Sequence, residues 1–157
     1  MYRSKVYGYE MTLISEVYLS TLSALMKPHG LEQYFVAILF LNEQAGHITQ
    51  KDLGTVLRRD KVFTMRLVDA LSTKGFVERH QDYNDRRCQL LELTEKGKAL
   101  VPMIEQAVEQ TNELLFKGFT AEERTVFECG MTQMMKLLDS QPKPSFTVTA
   151  SEHTNDE

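Results

Sequence analysis

The sequence predicts a mainly α-helical fold with one small β-hairpin, and three observations point to it. Apolar residues recur at helical spacing over most of the chain. The period changes to two only within residues 76–93, where turn-forming residues interrupt it. The 157 residues are 42% hydrophobic and 25% charged, which is typical of a globular chain long enough to bury its own core.

Two helices are predicted before residue 45. Glu10–Met26 has its apolar residues at helical spacing, and Pro28 and Gly30 end it. Leu31–Glu43 follows and is apolar on nearly all sides, which predicts a helix buried on most faces. The longest apolar run, 34–41, is far shorter than the about 20 residues that cross a bilayer. We therefore expect no membrane segment.

A short helix, a tight turn and another helix come next. Thr49 is a suitable N-cap for a helix over Gln50–Leu57. Asp60 can cap the following helix, Lys61–Lys74. Gly54 lies inside the first of these two helices, where glycine lowers the stability of the helix by about 1 kcal/mol relative to alanine. That cost indicates a packing reason for glycine, such as the close approach of another helix.

Beyond Gly75, which is suited to end a helix, the chain predicts a β-hairpin. Strands are expected over 76–81 and 87–93 because apolar and polar residues alternate there. The turn between the strands is polar and carries Arg86 at its tip.

Two more helices and a tail complete the chain. A long helix is expected over 94–115, loosened near Pro102, and a capping box at Thr120 starts another that runs to Leu138. Prolines, Ser/Thr richness and acidic residues predict a disordered tail over 139–157.

Charge is distributed unevenly along this chain. The segment 48–98 carries 11 Lys and Arg against 8 Asp and Glu, although the whole chain has a net charge of −4. A basic middle between acidic ends indicates a segment that contacts an anion, and chance scatter of surface charge explains it equally well. The order short helix, turn, helix, hairpin is that of a winged helix-turn-helix. A helix fits the DNA major groove, and a hairpin with arginines at its tip can reach phosphates or the minor groove.

Five short motifs are specific as a set: Thr49–Leu53, Arg66–Leu71, Lys74–Arg79, Asp85–Arg87 and Leu93–Gly97. In these motifs the chain strongly resembles the MarR (multiple antibiotic resistance regulator) family. The resemblance implies a homodimeric transcriptional regulator, usually a repressor, that binds an inverted-repeat operator in double-stranded DNA. Many members release DNA when a small, often aromatic or anionic effector binds, and others respond to cysteine oxidation.

The resemblance also implies a division of the chain. Residues 1–30 and 94–138 would form a helical dimerisation region, and 31–93 the winged helix-turn-helix DNA-binding domain. The fourth helix would enter the major groove and the hairpin, or wing, the adjacent minor groove. Val62 and Phe63 occupy a turn of that helix where small hydroxyl residues are common in the family.

The candidate DNA contacts fall on three elements. On the fourth helix, Arg66 lies opposite the apolar stripe and is expected to contact a phosphate or guanine, with a surface ion pair to Asp69 or Asp60 as the alternative. Lys61 and Met65 share its face.

The other candidate contacts lie at the start of the third helix and in the wing. Thr49 and Gln50 begin a helix whose N–H groups can meet a phosphate, and ordinary capping is the alternative. Of Arg86 and Arg87, one is expected to enter a groove and the other to pair with Asp85, which would support the wing.

Other classes of site find no support in the sequence. No Ser/His/Asp order, phosphate-binding glycine loop or paired carboxylates indicates an enzyme, and no cofactor is implied. Cys88 and Cys129 have no nearby basic cluster and are interpreted as core-filling residues rather than redox sensors. The four histidines have no spacing typical of a metal site; they are His29, His47, His80 and His153.

The expected location is the reducing cytoplasm, because the N-terminus lacks an apolar signal region and two cysteines make no disulfide framework. Two alternatives to a ligand-relieved repressor stay open. One is a redox-responsive regulator of the same family, and the other is a dimeric protein-interaction scaffold that has lost DNA binding.

Overall fold

A computed structural model describes residues 6–46, 48–82 and 88–139. The expected wing-tip residues Asp85, Arg86 and Arg87, and the expected tail from residue 140 onward, lie outside the described residues. The helices are α1 Tyr7–Met26, α2 Phe35–Gln44, α3 Gln50–Val56, α4 Lys61–Thr73, α5 Glu95–Lys98, α6 Val101–Leu115 and α7 Ala121–Asp139, and the strands are β1 Ile48–Thr49, β2 Val77–Gln81 and β3 Gln89–Leu93.

The predicted fold class is confirmed, with helices surrounding one small antiparallel sheet of strand order β1-β3-β2. In the hairpin, Val77 pairs with Leu93 and Gln81 with Gln89. The short strand β1 adds to its free edge, where Ile48 pairs with Leu91. The sequence did not predict β1, because two residues are too short to show a period.

The hydrophobic core lies in the first of two units of the chain, Met1–Leu115. Helices α1, α2, α4 and α6, together with the sheet, bury their apolar faces in it. Its fully buried large side chains are Met26, Leu31, Ile38, Leu41, Leu53, Val68, Leu71, Leu91 and Ile104. The second helix begins four residues later than predicted, after a 3-10 turn at Lys27–His29 and a turn before Phe35.

Helices α3 and α4 approach each other at Gly54. A Cβ atom there would lie 2.8 Å from the Thr64 Oγ1 atom, so the predicted packing reason for this glycine is confirmed. Thr64 is buried, and its hydroxyl donates to the Asp60 carbonyl at 2.8 Å. Asp60 also caps α4, because its Oδ1 accepts from the Phe63 N–H at 2.8 Å. The glycine therefore fixes the spacing of the helix-turn-helix.

The base of the hairpin is joined to the end of α4 through Thr94 and Gly97. The Thr94 hydroxyl donates to the Gly75 carbonyl at 2.7 Å and accepts from the Gly97 N–H at 3.1 Å. A Cβ on Gly97 would lie 2.2 Å from the Phe76 carbonyl oxygen. This contact holds the hairpin at a fixed position against the helix that precedes it.

The predicted single helix over 94–115 is wrong in detail. The structure has two helices, α5 and α6, separated by a turn at Ala99 and Leu100. Pro102 is the second residue of α6. The N–H groups of the first helical turn have no intrahelical acceptor, so a proline, which lacks an N–H, costs no hydrogen bond there. The proline therefore allows a new helix to start instead of kinking a continuous one.

The second unit, Phe116–Glu157, contains α7. The predicted capping box is confirmed, since Glu123 Oε2 accepts from the Thr120 N–H at 2.8 Å and Thr120 Oγ1 from the Glu123 N–H at 3.2 Å. None of the α7 side chains described, 121–137, is buried. Its exposed large apolar side chains are Val126, Phe127, Met131, Met134, Met135 and Leu137. Over the described ranges, no helix has the length and apolarity to cross a membrane.

Candidate nucleic-acid interface

Helix α4 separates its residues into a buried and an exposed face. Its buried residues are Thr64, Leu67, Val68 and Leu71. Lys61, Met65 and Arg66 are exposed, as their helical spacing predicts. The structure thus brings these three predicted site residues together on one surface.

Arg66 is free of the ion pairs that were the alternative explanation for it. Asp69 instead pairs with Arg79 of β2, and Asp60 caps its own helix through Phe63 N–H. Within the described part of the chain, Arg66 makes no hydrogen bond or ion pair. Its guanidinium remains available for a bidentate contact with a phosphate or a guanine.

Thr49 is engaged in capping α3. Its hydroxyl accepts from the Asp52 N–H at 3.2 Å, and the Asp52 carboxylate accepts from the Thr49 N–H at 3.3 Å, which completes a capping box. The Thr49 hydroxyl also donates to the same carboxylate at 2.6 Å. Gln50 is half-buried at the first position of the helix. The geometry of Thr49 favours capping over a direct phosphate contact by its side chain.

A cleft of about 580 Å³ opens between α3 and the start of α4. Three cationic side chains line it, those of Lys51, Arg59 and Lys61. The Arg59 guanidinium also lies 4.9 Å from the centre of the Phe63 ring, a cation–π distance. The sequence interpretation missed Lys51 and Arg59, because it used Arg59 only to define a turn. The four-residue spacing of Lys51 and Thr55 indicated only that these two residues share one side of α3. Arg59 lies in the turn between α3 and α4, where no helical period could show which way it faces.

The wing is described only at its base. Arg79 of β2 pairs with Asp69 of α4, which ties the hairpin to the helix that presents Arg66. The Lys96 ammonium donates to the Lys74 carbonyl at 2.8 Å and lies 4.9 Å from the centre of the Phe76 ring. The roles of Asp85, Arg86 and Arg87 stay predictions.

One group of metal-ligating side chains does form, at the base of the wing. Ligand atoms of Glu78, His80 and Glu92 lie within 4.8 Å of one another, with His80 Nε2 at 3.1 Å from Glu78 Oε1 and 3.6 Å from Glu92 Oε2. Sequence spacing did not reveal this group, because the hairpin register places Glu92 opposite Glu78. All three side chains are substantially exposed, and the Lys98 ammonium competes for Glu92 at 3.8 Å. The hydrogen bond that Lys98 Nζ donates to Glu95 Oε1 raises the pKa of Lys98, which keeps that competing charge in place.

The two cysteines differ in their surroundings. Cys88, just before β3, is half-buried, whereas Cys129 on α7 is exposed. The interpretation of both cysteines as core-filling residues is therefore wrong for Cys129, which does not lie in the core of its own chain. Periodicity missed this because α7 buries no described side chain in its own chain.

An apolar groove of about 430 Å³ runs between α1 and α6. Tyr18 lines it, and its hydroxyl donates to Asn112 Oδ1 at 2.8 Å. Burial raises the pKa of Tyr18, and the nearby Glu109 carboxylate raises it further, so the hydroxyl stays a proton donor. Tyr34 packs against the core, and the Lys74 ammonium lies 5.5 Å from the centre of its ring.

The fold and this surface define a winged helix-turn-helix protein, with α4 as the exposed second helix and β2–β3 as the wing. Comparison with known proteins agrees. The model of the MarR family matches residues 34–89, which hold α2, the helix-turn-helix, β2 and the first residue of β3. The chain therefore carries a MarR-family domain over these residues, and members of that family are transcriptional regulators, not enzymes.

Individual relatives extend the similarity beyond this domain. The transcriptional repressor MprA of Escherichia coli K12 is 27% identical over 128 residues, 80% of this chain and 73% of MprA. A MarR regulator from Methanosarcina mazei Go1 superimposes with a TM-score of 0.77 at 26% identity, covering 86% of this chain and 98% of that chain. A mutant MarR from E. coli, crystallised in complex with operator DNA, superimposes with a TM-score of 0.73 at 27% identity. The superposition covers 82% of this chain and 92% of that chain.

Proposed function

We propose that this protein is a homodimeric, sequence-specific DNA-binding regulator that represses transcription. The observation that carries the proposal is the group of exposed cations on α3 and α4: Lys51, Lys61 and Arg66 have no carboxylate partner among the described residues. Unpaired, adjacent cations on a helix-turn-helix are the electrostatic pattern that DNA phosphates attract.

In this proposal, different elements contact different parts of the DNA. Helix α4 enters the major groove, where Arg66 and Met65 face base edges and Lys61 the backbone. Lys51 and Arg59 line the cleft beside it and meet phosphates. Arg86 and Arg87 of the wing follow the adjacent minor groove. The E. coli MarR structure in complex with operator DNA supports DNA binding by similarity.

Dimer formation is supported by apolar surface that the single chain leaves uncovered. Helix α1 exposes Tyr9, Ile14 and Val17, and α7 exposes Val126 and Met131 among others. A solvated helix does not normally expose so many large apolar side chains, and obligate dimers bury such surfaces. Two copies would also match the two half-sites of an inverted repeat.

The proposal includes repression of transcription and its relief by a small effector. The similarity to MprA, a transcriptional repressor, supports repression. The apolar groove between α1 and α6, with the Tyr18 hydroxyl at its wall, is a suitable site for a small aromatic effector. An effector that binds only one of two dimer conformations would shift the protein away from DNA.

The experiment that tests DNA binding starts from selection of duplexes from a random pool by the purified full-length protein. Footprinting of the selected duplex should show two protected half-sites related by inversion. With roughly 6–10 phosphate contacts, log K should fall against log salt with a slope of about −5 to −9.

The same titration separates the regulator from the scaffold alternative. Lys51→Ala combined with Lys61→Ala should reduce the magnitude of the salt slope by about 2, since two phosphate contacts are removed. The control is Lys117→Ala, which removes an exposed charge outside α3 and α4. Failure to select any duplex at low salt would refute the proposal and favour the scaffold.

A further inference from the structure

The start of α4 presents an apolar patch in the middle of the cationic surface. Val62 is 54% exposed and Phe63 42% exposed, although the buried face of the same helix begins at the next residue, Thr64. Core packing thus leaves both side chains uncovered. An apolar patch of this kind on a short helix is unfavourable unless a partner covers it.

The charges around the patch indicate what covers it. Lys61 and Arg66 lie on the same helix, and Arg59 and Lys51 line the adjacent cleft. A second protein chain would have to bury these cations with the patch, which is costly. DNA neutralises them and offers one apolar group in the major groove, the C5 methyl of thymine.

The geometry of the helix start places both side chains suitably for this contact. Asp60 is the N-cap, so Val62 and Phe63 are the second and third helical residues. The N-terminal residues of a recognition helix are the ones that contact base edges. The Asp60 carboxylate holds the Phe63 N–H, and the Arg59 guanidinium lies over the Phe63 ring, so the ring is ordered before DNA arrives.

We propose that Val62 and Phe63 are specificity-determining residues that recognise thymine by its methyl group. The inference rests on the proposed function and adds to it the class of base that is read. Each half-site should then contain thymines that are required for their methyl groups rather than for hydrogen bonds. Arg66, one turn further along the helix, reads a separate position.

Uracil substitution tests the proposal, because it removes only the C5 methyl of thymine and keeps the Watson–Crick edge. Duplexes from the selection are made with deoxyuridine at one thymine position of the half-site at a time, and their affinity is measured. Two positions should each lose about fourfold in affinity, the equivalent of one buried methyl group.

Variants then assign each position to a side chain. Val62→Ala and Phe63→Ala should each erase the uracil effect at one position and keep it at the other. Val36→Ala, which truncates another exposed valine, on α2, should retain both effects. Circular dichroism melting of each variant checks that it folds.

The outcomes separate this inference from the proposed function. Tight, sequence-selective binding that is insensitive to uracil at every position would overturn methyl recognition and leave the regulator function standing. A uracil effect that persists unchanged in both variants would also overturn it. If no duplex is selected at all, the proposed function fails, and methyl recognition fails with it.

Discussion

At the scale of single residues, Gly97 is the position with the least tolerance for a side chain. Gly97→Ala would place a Cβ 2.2 Å from the Phe76 carbonyl oxygen, and backbone has no room to yield. We expect a loss of about 3 kcal/mol in the free energy of unfolding, at the upper end of overpacking costs. Urea denaturation followed by circular dichroism measures it.

Gly130 provides the matched control for that measurement. It lies within α7 with nothing within 4 Å of a built Cβ, so Gly130→Ala should stabilise the helix by about 0.5–1 kcal/mol. Opposite signs for the two substitutions are expected. Equal, small effects would mean that the contact at the base of the wing does not constrain the fold.

Arg66 is the residue whose loss should alter sequence preference. Arg66→Ala should cost about 1–3 kcal/mol in binding to the selected duplex and relax preference at one position per half-site. Arg66→Lys should bring back the salt slope that Arg66→Ala loses, because it keeps the positive charge. It should not bring back the base preference, because an ammonium lacks the bidentate geometry of guanidinium. Both variants should melt like the parent, since the side chain is exposed. If Arg66→Ala keeps the same base preference as the parent, Arg66 does not contact a base.

At the scale of elements, the wing should contribute affinity more than specificity. Replacing Arg86 and Arg87 with Ala should weaken binding to many duplexes, with the largest loss where an A-tract narrows the minor groove. The salt slope should shrink, because fewer counterions are released. Full affinity with the parental slope would show that the wing is only a structural hairpin.

Helix α7 should determine association of the chains. Phe127→Glu with Met134→Glu places charges on its apolar stripe, which should convert the dimer to monomers in sedimentation velocity at micromolar concentration. Thr132→Glu changes another exposed position of the helix and should leave the dimer intact. A parent protein that is already a folded monomer at that concentration would contradict the dimer.

At the scale of the whole molecule, the proposed two-fold dimer makes a geometric prediction about its site. The half-sites should lie about one helical turn apart, because both α4 helices must face the same side of the duplex. Inserting 5 base pairs between them turns one half-site to the opposite side and should abolish dimer binding. Unchanged affinity would show that the chains bind half-sites independently.

Much of the fold follows from local signals in the sequence. The side chains of Thr49, Asp60 and Thr120 cap helices where expected, because a cap depends on residues only three positions away. The close approach at Gly54 could likewise be predicted from the cost of glycine within a helix. The exposed face of α4 follows from its period of 3.6 residues.

The sequence by itself therefore determined the order of most elements, the caps of α3, α4 and α7, and the face that carries Arg66. Only the tertiary structure decided which partner each charge has. Asp69 pairs with Arg79 rather than with Arg66, Lys51 and Arg59 line one cleft, and Glu92 lies beside His80. Periodicity and capping act within one or two helical turns, whereas these contacts depend on strand register and helix packing, which join residues distant along the chain.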